Sequence, residues 1–289
     1  MNKKEESNII EQLKREHSKI TPRDQFVREL EETLVKRFSK RNKNKLSLPA
    51  FALIFSTLIF SMLVFNLGSL NEGTSALNSD NPQVYIYHTH NTESFLPDLN
   101  VDDGRLAFDE EINITLVGQH LSNQLEGKNI RTIHDNTDFV ALLQKQNLEF
   151  RQAYELSKIN VERALEAHDS LKMVFDIHRD STSSIVTTTT INNQEVAKLL
   201  FVVSRNHDGF EENLKFAELI HKQLEEKYPG LSRGVLIEDS TFNKNTYNQD
   251  LFGQSVLIDV GGIENSIEEA NRAVELLAEV INDVLAENE

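Results

Sequence analysis

Apolar positions along this chain change period several times, and each change marks an element. Val84-Tyr85-Ile86-Tyr87 is a short unbroken apolar run, which predicts a buried strand over 83–88. Ile112, Leu116, Leu121 and Leu125 recur at helical spacing, and Ile130 to His134 then reads as a short strand. Glu149 to His168 predicts a longer helix, Leu171 to Ile177 a strand, and Ala197 to Ser204 another. Phe210 to Tyr228 is a helix stopped by Pro229-Gly230, and strands follow at Gly234 to Ile237 and Ser255 to Val260. The last helix opens at Ser266, where Glu269 completes a capping box, and runs to about Leu285. Strands separated by helices predict an α/β domain, a mostly parallel sheet with helices on both faces. Three polar stretches interrupt the alternation: Asn91 to Glu110, Asp180 to Asn193, and Asp239 to Gln254. Loops this long in a compact domain are commonly functional, so they are expected to wall a substrate groove.

Ahead of that domain the pattern is different. Residues 47–70 carry no charge, and Leu48 to Phe65 is almost wholly apolar, about the length a single transmembrane helix needs. The preceding 46 residues exceed an ordinary signal-peptide n-region, so an uncleaved anchor is expected. Lys36, Arg37, Lys40, Arg41, Lys43 and Lys45 crowd its N-terminal side, whereas no Lys or Arg occurs from Leu46 to Asp103. The positive-inside rule then puts the N-terminus in the cytoplasm and the large domain outside the cell membrane. Within 1–46, Thr21-Pro22-Arg23-Asp24 is a helix start, and Phe26, Leu30, Leu34 and Phe38 form one apolar stripe. Residues 71–82, rich in Asn, Ser and Gly, read as a linker, which leaves 83–289 as the extracytoplasmic domain.

Charge follows the same division. Residues 1–46 hold 13 Lys and Arg against 8 Asp and Glu, while 71–289 hold 17 against 38. So acidic a domain does not fit nucleic acid, whose phosphates require clustered cations. The sequence contains no cysteine, so no disulfide braces the outer domain, and its core and any metal must hold it together.

The chemistry sits where apolar runs end. The first strand stops in His88-Thr89-His90-Asn91-Thr92-Glu93, and the strand ending at Ile177 stops in His178-Arg179-Asp180. Alternation along a strand would put His88 and His90 on one face, with Glu93 on the loop beyond. In open α/β sheets ligands bind at the C-terminal strand ends, so the two histidine-bearing endings are expected to converge on one zinc ion.

These segments also carry a resemblance. His-Thr-His-Asn-Thr-Glu-Ser-Phe-Leu-Pro at 88–97, Asp-Ile-His-Arg-Asp-Ser at 176–181 and Gly-Gly-Ile-Glu-Asn-Ser at 261–266 resemble the stage II sporulation protein P family. That family comprises membrane-anchored peptidoglycan hydrolases related in fold to zinc-dependent N-acetylmuramoyl-L-alanine amidases. The resemblance implies a zinc amidase-like fold and a metal held by a histidine after the first strand, a glutamate, and a histidine after a central strand. The available residues are His88 or His90 or both, Glu93, and His178. A histidine that is not a ligand would orient one or touch substrate. Glu93 has the general base as its rival role, and Asp109, Glu110 and Glu111 are alternative acidic ligands, although acids at a helix start also suit its dipole.

At the end of the last strand the related amidases carry a catalytic glutamate. This chain has Asp259 there, one methylene shorter, with Glu264 five residues on, and the acid/base role is divided between them. Arg179 is a candidate for pairing with a stem-peptide carboxylate or polarising the scissile carbonyl, and Asp180 for fixing a histidine tautomer. The implied activity is cleavage between N-acetylmuramic acid and L-alanine, with stem-peptide cleavage as a second possibility, during sporulation and engulfment. A catalytically silent wall-binding or scaffold protein and a zinc carboxypeptidase are the alternatives. Peptidoglycan, the cell membrane, a sporulation lytic transglycosylase and a membrane protein are the partners implied.

Overall fold

The structure is a computed structural model that describes residues 81–239 and 245–287. The expected cytoplasmic helix, the expected anchor at 47–70 and the expected linker up to residue 80 lie outside the described residues. Among the described residues, no helix is long and apolar enough to cross a membrane.

In chain order the elements are β1 (Val84–Tyr87), α1 (Leu96–Leu99), α2 (Thr115–Glu126), β2 (Thr132–His134), α3 (Phe139–Gln146), α4 (Ala153–Ala167) and β3 (Met173–Asp180). Then come α5 (Ser184–Thr187), β4 (Thr188–Ile191), β5 (Gln194–Ala197), β6 (Leu199–Ser204), α6 (Phe210–Lys227), β7 (Ser232–Glu238), β8 (Ser255–Gly262) and α7 (Ile267–Glu287). Six strands make one sheet in the order β2-β1-β3-β8-β6-β7, and β4 pairs with β5 in a separate hairpin. The α/β, mostly parallel architecture expected from the periodicity is therefore present.

β1 is buried along its whole length and β3 along all but its last residue, as central strands covered on both faces must be. One face carries the larger core: Phe175, Ile177, Phe201 and Ile258 from the sheet meet Val117 and Leu121 of α2, Phe216 and Ile220 of α6, and Val274 and Leu277 of α7. The other face carries a smaller cluster of Tyr85, Tyr87, Val174 and Val161, with α4 as its lid. The capping box of α7 forms as the sequence predicts: Ser266 N–H donates to Glu269 Oε2 at 2.9 Å, and Glu269 N–H to Ser266 Oγ at 3.2 Å.

Two departures bear on the site. The stretch 180–193, expected as loop, contains α5 and most of the β4–β5 hairpin, so no full crossover helix separates β3 from β6. β6 accordingly runs antiparallel to β8. β7 follows β6 through α6 in the parallel sense, so the beginnings of β6 and β7 lie at the same edge as the ends of β1, β3 and β8. The second departure is α3, read as connection, although Asp138 caps it from sequence, its side chain accepting from Ala141 N–H at 2.9 Å.

Candidate metal centre

β1 ends at Tyr87, and the chain turns at once: Glu93 N–H donates to His90 C=O at 3.0 Å. This turn, rather than strand alternation, decides where the side chains go. Positions i and i+3 of a turn are neighbours, so His90 and Glu93 face one another, His90 Nδ1 lying 3.6 Å from Glu93 Oε1. Asn91 fixes the turn from outside by donating to Asp138 at 3.0 Å and accepting from Val140 N–H at 3.1 Å.

β3 supplies the third group. His178 Nδ1 lies 3.3 Å from Glu93 Oε2, and the His178 and His90 rings meet edge to face with centroids 5.0 Å apart. One donor atom from each of His90, Glu93 and His178 falls within 4.8 Å of the others. The two histidine-bearing strand endings thus converge, although they were about ninety residues apart in sequence.

Asp176, two residues before His178 on the same face of β3, underlies the arrangement. Its Oδ1 accepts from Thr89 N–H at 2.9 Å and its Oδ2 from Thr89 Oγ at 2.7 Å. Oδ1 also lies 2.9 Å from His178 Nε2, close enough for an ion pair but off the line of a hydrogen bond. Burial opposes a charge on His178, but Asp176 and Glu93 on either side overcome it and push the imidazole pKa well above its ordinary value. Burial likewise works against the charge on Glu93, yet His178, His90 and Arg179 hold its carboxyl well below the usual range. Two carboxylates around one imidazole call for a cation, and the unpartnered, buried Nε2 of His90 adds a free donor. Two histidines and a glutamate are a ligand set of catalytic zinc sites, so these residues fit such an ion.

His88 goes elsewhere. Because the strand stops at Tyr87, His88 and His90 do not share a face as alternation predicted. His88 is fully buried, its Nδ1–H donates to Ile177 C=O at 3.0 Å, and its Nε2 accepts from His134 Nε2–H at 2.9 Å. Burial and the neighbouring His134 push its pKa down to about 3, so the ring is neutral. Gly118 of α2 makes the room: a Cβ there would stand 2.3 Å from the His88 ring.

Arg179, expected to face substrate, points into the protein on the opposite side of β3 from His178. Its guanidinium donates to Ser94 C=O and Ala107 C=O, both at 2.9 Å, and lies over the Phe108 ring. Asp180, considered as a tautomer-fixing group, pairs instead with Arg233 at 2.6 Å; Asp176 stands by the imidazole. Arg233 enters from the beginning of β7, next to an irregularity in register and Gly234 at φ +99°. Asp109 caps the segment ahead of α2, accepting from Glu111 and Ile112 N–H.

The two acid/base candidates separate. Asp259 is in register with His178 on the adjacent strand, so the side chains stand next to one another. Burial, with Asp180 and Glu93, pushes its pKa up to about 7 against the pull of His178 and Arg233. Beyond it the register shifts, with Gly261 at φ +70°, and Glu264 turns away to accept from Ser184 N–H and Oγ, both at 2.9 Å.

Aromatic rings, none singled out by sequence, close the α4 side. Phe150 stacks on His90 with centroids 4.3 Å apart, and Tyr154 meets His90 at 5.4 Å and His178 at 6.5 Å. Tyr247 packs on Tyr154 at 5.3 Å.

A family model described as Stage II sporulation protein P matches residues 1–282. The chain belongs to that family. Stage II sporulation protein P of Bacillus subtilis (strain 168) is 40% identical over 206 residues, 71% of this chain and 51% of that protein. The chain therefore spans about half the length of this curated relative. Among solved structures, an N-acetylmuramoyl-L-alanine amidase from Clostridium difficile 630 is similar with a TM-score of 0.42 and 16% identity, over 72% of this chain and 97% of that one. A metallo-carboxypeptidase from Burkholderia cenocepacia has a TM-score of 0.41 and 12% identity, over 73% and 59%. Both likenesses are too loose to bear on the chemistry.

Gly118→Ala should cost about 3 kcal/mol in urea denaturation through its clash with His88, and less than about 1 kcal/mol when made together with His88→Ala. Asp259 has a folded pKa above its unfolded value, so its ionised form destabilises the fold increasingly from about pH 4 and fully above about pH 7. In the chelated protein Asp259→Asn should therefore stabilise by about 2 kcal/mol at pH 8 and change nothing at pH 4.

Proposed function

We propose that this protein is a zinc-dependent peptidoglycan hydrolase, an N-acetylmuramoyl-L-alanine amidase, that acts on the wall outside the cell membrane during sporulation. The observation that carries the reading is the convergence of His90, Glu93 and His178 beside a carboxyl group, Asp259, that is poised near neutrality. Membership of the sporulation family supplies the biological setting.

His90, Glu93 and His178 would hold the ion, and Asp176 would keep the His178 ring in place from behind. When bound, such a cation supplies Lewis acidity, polarising a carbonyl and making water easier to deprotonate. Asp259 takes a proton from the attacking water and returns it to the departing L-alanine nitrogen, the work of a general base and then acid with a pKa near the working pH. A positive ion alongside would hold Asp259 lower than about 7, so that it is ionised at the start of the reaction. Arg233, paired to Asp180, keeps a positive charge next to Asp259 in the same cleft. Glu264 is held on Ser184, away from the acid/base position. The membrane anchor at 47–70 would tether this chemistry to the wall-facing side, where a lytic transglycosylase cutting glycan strands and a membrane protein are the proposed partners.

The test is hydrolysis of purified peptidoglycan by the full-length chain, with and without zinc, and fragment identification by mass spectrometry. Stem peptides with a free L-alanine amino terminus and glycan with a free lactyl carboxylate are expected. His178→Ala should lose both the metal and the products, whereas Asp259→Asn should keep the metal and lower kcat at least about 100-fold. Metal binding without products would mean a silent wall-binding protein, and loss of a terminal D-amino acid alone would mean a carboxypeptidase.

A further inference from the structure

Tyr247 stands out among the described residues. Every other non-glycine residue with positive φ is an asparagine, which tolerates that conformation, whereas Tyr247 lies at φ 53° followed by Asn248 at φ 58°. Such a backbone persists only where its surroundings impose it. Here they do. Gln249, 1% exposed, accepts from Ser204 N–H and donates to Val202 C=O, both at 2.8 Å, clamping the turn to the end of β6. Asn248, 3% exposed, donates to Ser157 of α4 at 2.9 Å, and Tyr87 O–H donates to Tyr247 C=O at 3.4 Å. Ser204 Oγ–H donates to Asn245 C=O at 2.7 Å. A small, strain-tolerant residue would satisfy this turn better, so the ring is what the turn delivers.

It delivers the ring to the edge of the metal centre. Tyr247 packs on Tyr154, Tyr154 touches the rings of His90 and His178, and Phe150 lies flat on His90. All three aromatic residues are half-buried, and their rings lie along the α4 side of the candidate ligands. The surroundings of Asp259 are different in kind, with the paired Asp180 and Arg233 close to its carboxyl group. The cleft thus has one aromatic flank and one polar, charged flank.

An amide between a muramyl lactyl group and L-alanine carries a pyranose on one side and a polar peptide on the other. The axial C–H bonds of a pyranose are weakly positive and suit the negative face of an aromatic ring. We infer that Tyr247, with Tyr154 and Phe150, forms the subsite for the hexosamine ring next to the scissile amide, and that the strained 245–249 turn exists to hold it there. This rests on the amidase reading above and adds the direction in which substrate lies: sugar towards α4, peptide towards Asp180 and Arg233.

Calorimetric binding of two compounds to the zinc-loaded full-length chain tests it, every protein carrying Asp259→Asn so that the amide survives the titration: N-acetylmuramoyl-L-alanyl-D-isoglutamine, and N-lactoyl-L-alanyl-D-isoglutamine, which keeps the amide and lacks the sugar. The protein with Tyr247 should prefer the sugar-bearing compound at least tenfold. Tyr247→Asn relieves the backbone strain and removes the ring, so it should unfold at an equal or higher temperature while losing that preference. Tyr247→Phe should retain it. Equal affinity of the protein with Tyr247 for both compounds, failure of the sugar-bearing compound to bind, or a preference unchanged in Tyr247→Asn overturns the subsite. Turnover is not read, so a sugar preference without hydrolysis of peptidoglycan would overturn the amidase reading alone.

Discussion

One buried carboxylate, Asp176, joins the two halves of the candidate metal centre. It receives two hydrogen bonds from Thr89, just after β1, and stands against the His178 ring on β3. A carboxylate at 1% exposure is tolerable only with this many polar neighbours, and satisfying it fixes the turn that presents His90 and Glu93 against the strand that presents His178. The parallel β1–β3 pairing, Val84 with Met173 to Tyr87 with Asp176, brings Asp176 level with the end of β1.

The rest of the site is built around that tie from both faces of the sheet. On the α4 face, aromatic rings pack against the candidate ligands; on the other, Arg179 and the His88–His134 pair lock the loops that follow β1 and β3. Residues that resemble catalytic groups in sequence therefore do structural work here, each holding a loop backbone or a neighbouring helix in place. Their burial shows the cost of that arrangement: His88 is kept neutral, and Gly118 must stay without a side chain to admit it. The local register shifts serve the same end. One follows His178 and Asp259 and sends Glu264 aside; the other adjoins Arg233 and turns it toward Asp180.

Burial disfavours a charge on His178, but Asp176 and Glu93 on either side of the ring push its pKa well above the ordinary value. Burial raises Asp259, and Asp180 and Glu93 add to it, so its ionisation and the stability of the fold are linked through a few side chains.

The sequence by itself determined the alternation of strands and helices, the histidine-bearing ends of β1 and β3, the capping box of α7 and the family motifs, because each depends on periodicity or on residues within a turn of one another. Asp176 was also within reach, two residues before His178 and so on its face. Only the tertiary structure decided that His90 joins Glu93 and His178 while His88 does not, because that depends on the residue at which β1 stops and on a turn closing behind it. It likewise set Asp259 beside His178 and Glu264 on Ser184 through register and a local shift, and it brought in Arg233, Tyr154 and Tyr247 from distant segments. Strand order and the antiparallel turn of β6 set those meetings, and no local spacing in the chain encodes them.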